Sequence, residues 1–199
     1  MYAGEEKAWE ILSGLSPAAV CRESGLLFDE SSGLYIMRSF SMDFSISPRD
    51  RTISGNAQES PVLLNRLGYF FKLSVPWYAI SAKDIPLTGK LVKPVGLKGG
   101  QLFFRGTHVL PLDRLALKYG NDVDGFIKRA GDFGGEAIDY GDASFRFHPL
   151  PRVPLVLILW AADEEFPARA DILFDSTCEF HLPLDIIWSV AMMSILIMF

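Results

Sequence analysis

The sequence predicts an α+β fold, a mainly antiparallel sheet with helices packed on it, in a single globular domain spanning residues 1–199. Three observations predict it. Strand-like segments are grouped, around Leu34 to Ser47 and again from Phe145 to Phe174, instead of alternating strictly with helices as a doubly wound sheet requires. With 199 residues, 49% of them apolar and 22% charged, the chain is long and apolar enough to bury roughly 70% of the surface its unfolded form exposes. No repeat, low-complexity tract or linker divides it.

Trp9, Ile11, Leu12 and Leu15 predict a short first helix, and Ser16 followed by Pro17 is the cap and first position of a second, which ends near Gly25. Phe40, Met42, Phe44 and Ile46 alternate with Ser41, Asp43, Ser45 and Ser47, the period of a half-buried strand, with Leu34 to Arg38 as its hairpin partner. Ser60 and Pro61 repeat the capping signal before Val62, Leu63, Leu64, Leu67, Phe70, Phe71 and Leu73, an apolar face broad enough for a central helix. A crossing punctuated by proline and glycine, containing Trp77, Pro86 and Gly89, then leads to expected strands at Leu91 to Val95 and Leu102 to Arg105, parted by a Gly99-Gly100 turn. Pro111 opens a helix that Gly120 closes; Val123, Phe126, Ile127 and Ala130 mark the apolar side of the next, with Lys128 and Arg129 complementing its dipole before Gly131. Phe145 and Phe147 alternate with Ser144, Arg146 and His148, and the almost continuous apolar run Val153 to Trp160 predicts an interior strand. A turn at Asp163 to Pro167 leads to a strand at Ile172 to Phe174, and Pro183 opens the terminal helix with Asp185 in its first turn.

The net charge of −5 and the scatter of Lys and Arg leave no basic stripe, so no nucleic-acid partner is expected. Cys21 and Cys178 stand alone, without CxxC or Cys/His spacing, which excludes a zinc site or cysteine-ligated iron–sulfur cluster built from this chain and predicts buried thiols in a reducing compartment. The acidic start Met1-Tyr2-Ala3-Gly4-Glu5-Glu6 lacks the regions of a secretory signal, so a cytoplasmic protein is expected. Ile186 to Phe199 is apolar except for Ser189 and Ser194 but falls short of the roughly 20 residues of a membrane span. It is either a core helix or the face through which subunits pair as a homo-oligomer.

Asp163, Glu164 and Glu165, near Asp171 and Asp175 in sequence, could hold a hard cation or supply an acid and base pair; the simpler reading is a solvated hairpin turn. His108, His148 and His181 show no helical ligand spacing, so a metal site from His148 or His181 with Asp175 forms only if the fold gathers them. Gly96, Gly99 and Gly100, like Gly131, Gly134 and Gly135, fit neither a P-loop nor a dinucleotide fingerprint, and no GxSxG elbow is present. Trp77, Phe103, Phe104, Tyr140 and Trp160 are either core or the lining of a pocket for a flat organic ligand.

One set of motifs is more specific. Gly99-Gly100-Gln101-Leu102-Phe103-Phe104-Arg105, Leu110-Pro111-Leu112, Gly134-Gly135, Tyr140-Gly141-Asp142-Ala143, Leu150-Pro151-Arg152-Val153-Pro154-Leu155, Leu159-Trp160, Asp163-Glu164-Glu165-Phe166-Pro167, Ile172-Leu173-Phe174-Asp175 and His181-Leu182-Pro183 together resemble the family catalogued as domain of unknown function 3786, over most of the chain from about Pro61. The resemblance implies a protein of anaerobic bacteria or archaea, some of whose relatives carry an added iron–sulfur segment of the corrinoid iron–sulfur kind. This chain has neither a cysteine cluster nor the Asp-x-His-x-x-Gly pattern that offers histidine to cobalt, so those roles do not carry over, and the family supplies no catalytic residues. The resulting expectation is an accessory module in anaerobic metabolism that binds a ligand, an unidentified cofactor or a partner, a metalloprotein among the candidates. Two alternatives stand beside it: a carboxylate- or metal-dependent hydrolase or transferase using Asp163, Glu164, Glu165 or Asp175 with His148 or His181, and a structural homo-oligomer.

Overall fold

Two antiparallel sheets share one core with a pair of buried helices in the computed structural model, which describes residues 3–199. Met1 and Tyr2, the start of the acidic stretch read for a signal, lie outside those residues. The chain opens with α1 (Ala3–Gly14) and α2 (Pro17–Ser24), followed by β1 (Leu27–Asp29), β2 (Leu34–Ser39), β3 (Met42–Ser47) and β4 (Thr52–Ser54), which pair in sequence order. The ends of α2 are local chemistry: Ser16 Oγ accepts from the Ala19 amide at 3.3 Å, and Gly25, at φ 74°, closes the helix on the Cys21 carbonyl.

Phe40 departs from its expected place in a strand. Ser39 pairs with Met42, so Phe40 and Ser41 form a two-residue turn with φ of 48° and 62°. Such a turn suits the twist of the flanking strands but normally calls for Asn or Gly. Phe40 holds it because its ring is buried edge-on to Phe133 and Phe147, both at 6.1 Å. Burying a Phe gives roughly 1.5–3 kcal/mol, which outweighs the roughly 1–2 kcal/mol of a left-handed residue.

Three further expectations change. Ser60 does not cap: its hydroxyl meets Met42 Sδ at 3.9 Å, and the chain enters a wide turn at Val62–Arg66, where the Leu67 amide bonds the Val62 carbonyl at 2.8 Å. The helix that follows, α3 (Gly68–Ser81), runs on through Pro76 and Trp77, because the burial of Phe71, Val75, Tyr78 and Ala79 compensates for the donor that proline removes. The expected strand Leu102 to Arg105 is the end of a short helix, Leu102 and Phe103, followed by a bend at Phe104 and Arg105, and of the expected strand Leu91 to Val95 only Leu91–Val92 forms one, β5. The short helix α4 (Gly100–Phe103) follows a turn so close that a Cβ on Gly100 would lie 2.2 Å from the Pro94 carbonyl oxygen.

The rest is α5 (Leu112–Tyr119), α6 (Val123–Asp132), β6 (Glu136–Ala137), β7 (Ala143–Leu150), β8 (Val153–Trp160), β9 (Arg169–Asp175), α7 (Cys178–His181) and α8 (Leu184–Leu196). The second sheet has the order β5-β9-β8-β7-β6, every neighbour antiparallel. β8 is buried from Val153 to Leu159, as its apolar run predicts; α5 packs on β9 and β8, and α6 on β7.

α8 packs on α3, and from Ile186 to Phe199 no side chain is fully exposed. The core reading of this helix therefore holds, with Trp188, Met192, Leu196 and Phe199 left partly exposed. No described helix is long and apolar enough to cross a membrane.

Candidate functional site

β8 and β9 pair as far as Trp160 and Arg169, and the residues between them, 161–168, form one wall of a cleft of about 530 Å³. Asp142, Trp160, Asp163, Phe166, Pro167 and Arg169 line it. Trp160 and Arg169 are opposite each other across the strands, and the guanidinium carbon lies 4.1 Å from the indole centroid. Among the described residues no hydrogen bond or ion pair engages Arg169, so its donors are open while its flat face is held by the indole.

The wall has no regular structure, yet five of its amides are tied. The Ala161 amide donates to Asp142 Oδ2 at 2.8 Å and the Ala162 amide to the Gly120 carbonyl at 3.0 Å. Asp163 Oδ1 accepts from the amides of Glu165 and Phe166 at 2.8 and 2.6 Å, and the Asp163 amide donates to the Phe166 carbonyl. Asp163 is thus an Asx turn, which leaves the Phe166 ring 66% exposed above a rigid backbone. Two glycines permit the close fit. A Cβ on Gly120 would lie 2.3 Å from that of Ala168; Gly141, at φ 59°, would place one 2.7 Å from the Leu159 carbonyl oxygen and 3.2 Å from the Trp160 ring. Gly141→Ala is therefore expected to cost about 2 kcal/mol, through strain and displacement of Trp160; a fall of roughly 4–8 °C in Tm checks it.

The other residues singled out in the sequence lie elsewhere. Glu164 and Glu165 are exposed in the turn but do not line the cleft. Asp175 ends β9 at the side away from Arg169, about 20 Å along the strand. It is 3% exposed and accepts from the amides of Thr88, Gly89 and Thr177 at 3.3, 2.6 and 3.0 Å and from the hydroxyls of Thr88 and Thr177 at 3.0 and 2.7 Å. Burial alone would raise its pKa, but these hydrogen bonds together outweigh it and hold the carboxyl below its ordinary value. His181, fully buried, accepts the Lys83 amide on Nδ1 at 3.2 Å, while its carbonyl accepts from Ser81. Burial pushes its pKa down, Arg152 adding to the shift and Asp175 opposing it. Asp175 and His181 therefore fasten the extended segment 82–90 to the end of the second sheet. His148 lines a separate cleft between the sheets, and burial lowers its pKa as well.

Among the described residues no group of three or more His, Cys, Asp or Glu is placed to hold a metal ion. Cys178 is buried, which pushes its thiol up to about 12; Cys21 is half-buried. A larger cleft of about 640 Å³ beside α1 is lined by Glu5, Arg51, Asn65, Tyr69 and Lys72, but Glu5 is engaged by Trp9 Nε1 at 3.3 Å, Arg51 by Glu6 at 3.6 Å, and Tyr69 also has a partner.

The Trp160 cleft gathers three of the motifs singled out in the sequence, Tyr140-Gly141-Asp142-Ala143, Leu159-Trp160 and Asp163-Glu164-Glu165-Phe166-Pro167. Sequence reasoning missed Arg169, Asp142 and Phe166 as individual residues; the cross-strand register that sets Arg169 on Trp160 is absent from any local pattern. A family model described as Domain of unknown function (DUF3786) matches residues 16–196 of the 199. No curated protein and no solved structure matches the chain.

Proposed function

The chain belongs to the DUF3786 family, and from that premise we propose that it is a binding module whose cleft at Trp160 takes a small organic carboxylate with a flat apolar body. The observation that carries this reading is the Arg169 guanidinium, held against the Trp160 indole with its donors unengaged. A guanidinium fork matches a carboxylate, and the exposed Phe166 ring and Pro167 offer the apolar contact. Asp142 and Asp163 each spend one oxygen on the wall's backbone. Their remaining oxygens favour a monoanion that carries hydrogen-bond donors over a phosphate dianion. The accessory role in anaerobic metabolism, with a metalloprotein as partner, belongs to this same reading.

A binding reading is favoured over a hydrolase or transferase because the carboxylates and histidines such an enzyme would need do not converge on one cleft: His148 lines a different one, and Glu164 and Glu165 line neither. Asp163 shapes the turn, and Asp175 and His181 fasten the 82–90 segment. The test is a titration of aromatic carboxylates and their matching neutral amides, followed by tryptophan fluorescence. Carboxylates are expected to quench saturably and Trp160→Leu to abolish the response. Arg169→Gln should weaken binding about tenfold, the effect of losing a charge-assisted hydrogen bond. Equal binding of acid and amide would sink the reading.

A further inference from the structure

The tip of the β2–β3 hairpin docks on an irregularity in β7. Phe147 pairs with Leu155 and Leu150 with Val153, so His148 and Pro149 together face Pro154, and the ladder bulges where two prolines have removed donors. The carbonyls released there are used by the other sheet: the Phe40 amide donates to His148 O at 2.9 Å, and Ser39 Oγ to Pro149 O at 2.7 Å. A cleft of about 350 Å³ opens along this joint, lined by Arg38 and Ser41 from the first sheet and by Glu136, Arg146 and His148 from the second.

The polar groups of its lining are incompletely used. Ser41 is held at φ 62° directly over Gly134, where a Cβ would lie 2.0 Å from Ser41 Oγ, and its hydroxyl makes no hydrogen bond among the described residues. Strain of this kind, held in place by the buried Phe40 beside it, is characteristic of binding sites. The two arginines are loosely committed: Arg38 meets Asp43 at 3.3 Å and Arg146 meets Glu136 at 3.9 Å, all four side chains well exposed. Exposed pairs of that kind hold each other weakly, so an incoming anion competes with Asp43 and Glu136 for the two guanidinium groups. His148 lines the cleft as a half-buried side chain whose Nε2 has no hydrogen-bond partner, so a small ring movement into the cleft would give that nitrogen the partner it lacks.

We propose that this inter-sheet cleft is a second binding site, for a small oxyanion of the phosphate class, with Arg38 and Arg146 as its charge clamp and Ser41 and His148 as neutral partners. Two guanidinium forks, a hydroxyl and an imidazole approach from two sheets, which suits a tetrahedral group with several acceptor oxygens better than a planar carboxylate. The volume exceeds that of phosphate alone, so an organic group attached to the phosphate also fits.

The test follows the histidine ring signals of the full chain by NMR during titration with inorganic phosphate and with phenyl phosphate, against potassium chloride at equal ionic strength. The His148 signal, assigned with His148→Gln, is expected to shift saturably while those of His108 and His181 stay. Arg38→Gln and Arg146→Gln should each raise Kd about tenfold. A bound dianion favours the imidazolium despite burial and Arg146, so the midpoint of His148 titration should also move to higher pH on saturation, in the direction Glu136 already favours. Tighter binding of the monoester identifies a phosphorylated molecule as the ligand, and equal or tighter binding of phosphate identifies the free anion. Trp160→Leu should leave the phosphate response intact, which separates this site from the carboxylate cleft. Absence of a saturable His148 shift in the unmodified protein, or an unchanged Kd in both arginine variants, overturns the proposal.

Discussion

Asp175→Ala is expected to lower the stability of the protein by about 3 kcal/mol or more, because it strips the acceptor from the buried joint between segment 82–90 and the end of β9. The amides of Thr88, Gly89 and Thr177 all donate to that carboxylate, itself 3% exposed, so alanine leaves three amides without their acceptor. Urea or thermal denaturation checks the size, a Tm drop of roughly 6–12 °C for a chain of this length. A residue poised for a ligand, and not for the fold, would leave stability within about 0.5 kcal/mol. The pH dependence gives a second readout. The carboxyl is held below its ordinary value of 3.8 in the folded protein, so its contribution is complete above that pH and is lost as pH falls through the folded pKa. His148 and His181 are held below 6.5 by burial, so their contribution is complete above pH 6.5 and starts to drain below it. Acid should therefore weaken the protein in two stages; Asp175→Ala should remove its share of the lower one and, because Asp175 raises the pKa of His181, enlarge the upper one.

Asp175 and His181 also show where the sequence is legible and where it is not. Both are residue types that carry chemistry, and nothing near them in sequence reveals that their partners are Thr88, Gly89 and Lys83, roughly 90 residues earlier. What could be read was local. The bounds of α2 follow from a serine cap and a glycine at positive φ, and the burial of β8 from an unbroken apolar run. The alternation around Phe40 and the short apolar run Leu102 to Phe104 each fit a strand, but so few residues also fit a tight turn or one helical turn, and burial and close backbone packing decide among them. Trp160 and Asp163 were legible as candidates, but with different roles than their types suggest. Asp163 shapes the wall, and the indole positions an arginine that only the β8–β9 register reveals.

Register and burial likewise explain the terminal helix, and with it the second large effect. An apolar helix can end inside a core only if its last carbonyls find donors. Here the amides of Ile197, Met198 and Phe199 bond the Met193, Ile195 and Leu196 carbonyls, and cations take the final ones: Arg66 Nη2 donates to Leu196 O at 3.0 Å, Arg129 Nε to Ile197 O at 2.8 Å, and Lys118 Nζ to Met198 O at 2.8 Å, joined there by the Tyr119 hydroxyl. Positive charge at this end also complements the helix dipole. Arg129 is the most heavily used of the set, facing Glu59 at 3.6 Å and Asp132 at 3.4 Å and lying 4.7 Å from the Phe133 ring. Arg129→Met is accordingly expected to cost about 3 kcal/mol, since it orphans the Ile197 carbonyl and leaves Glu59 without its cation. Chemical denaturation measures the total, and hydrogen exchange locates it, with protection lost first in the last turn of α8. A change below about 0.5 kcal/mol would mean that the clamp is idle and that packing alone closes the helix. If the clamp works, its loss should free the apolar residues of that turn, and the variant, unlike the parent, should associate with itself as concentration rises.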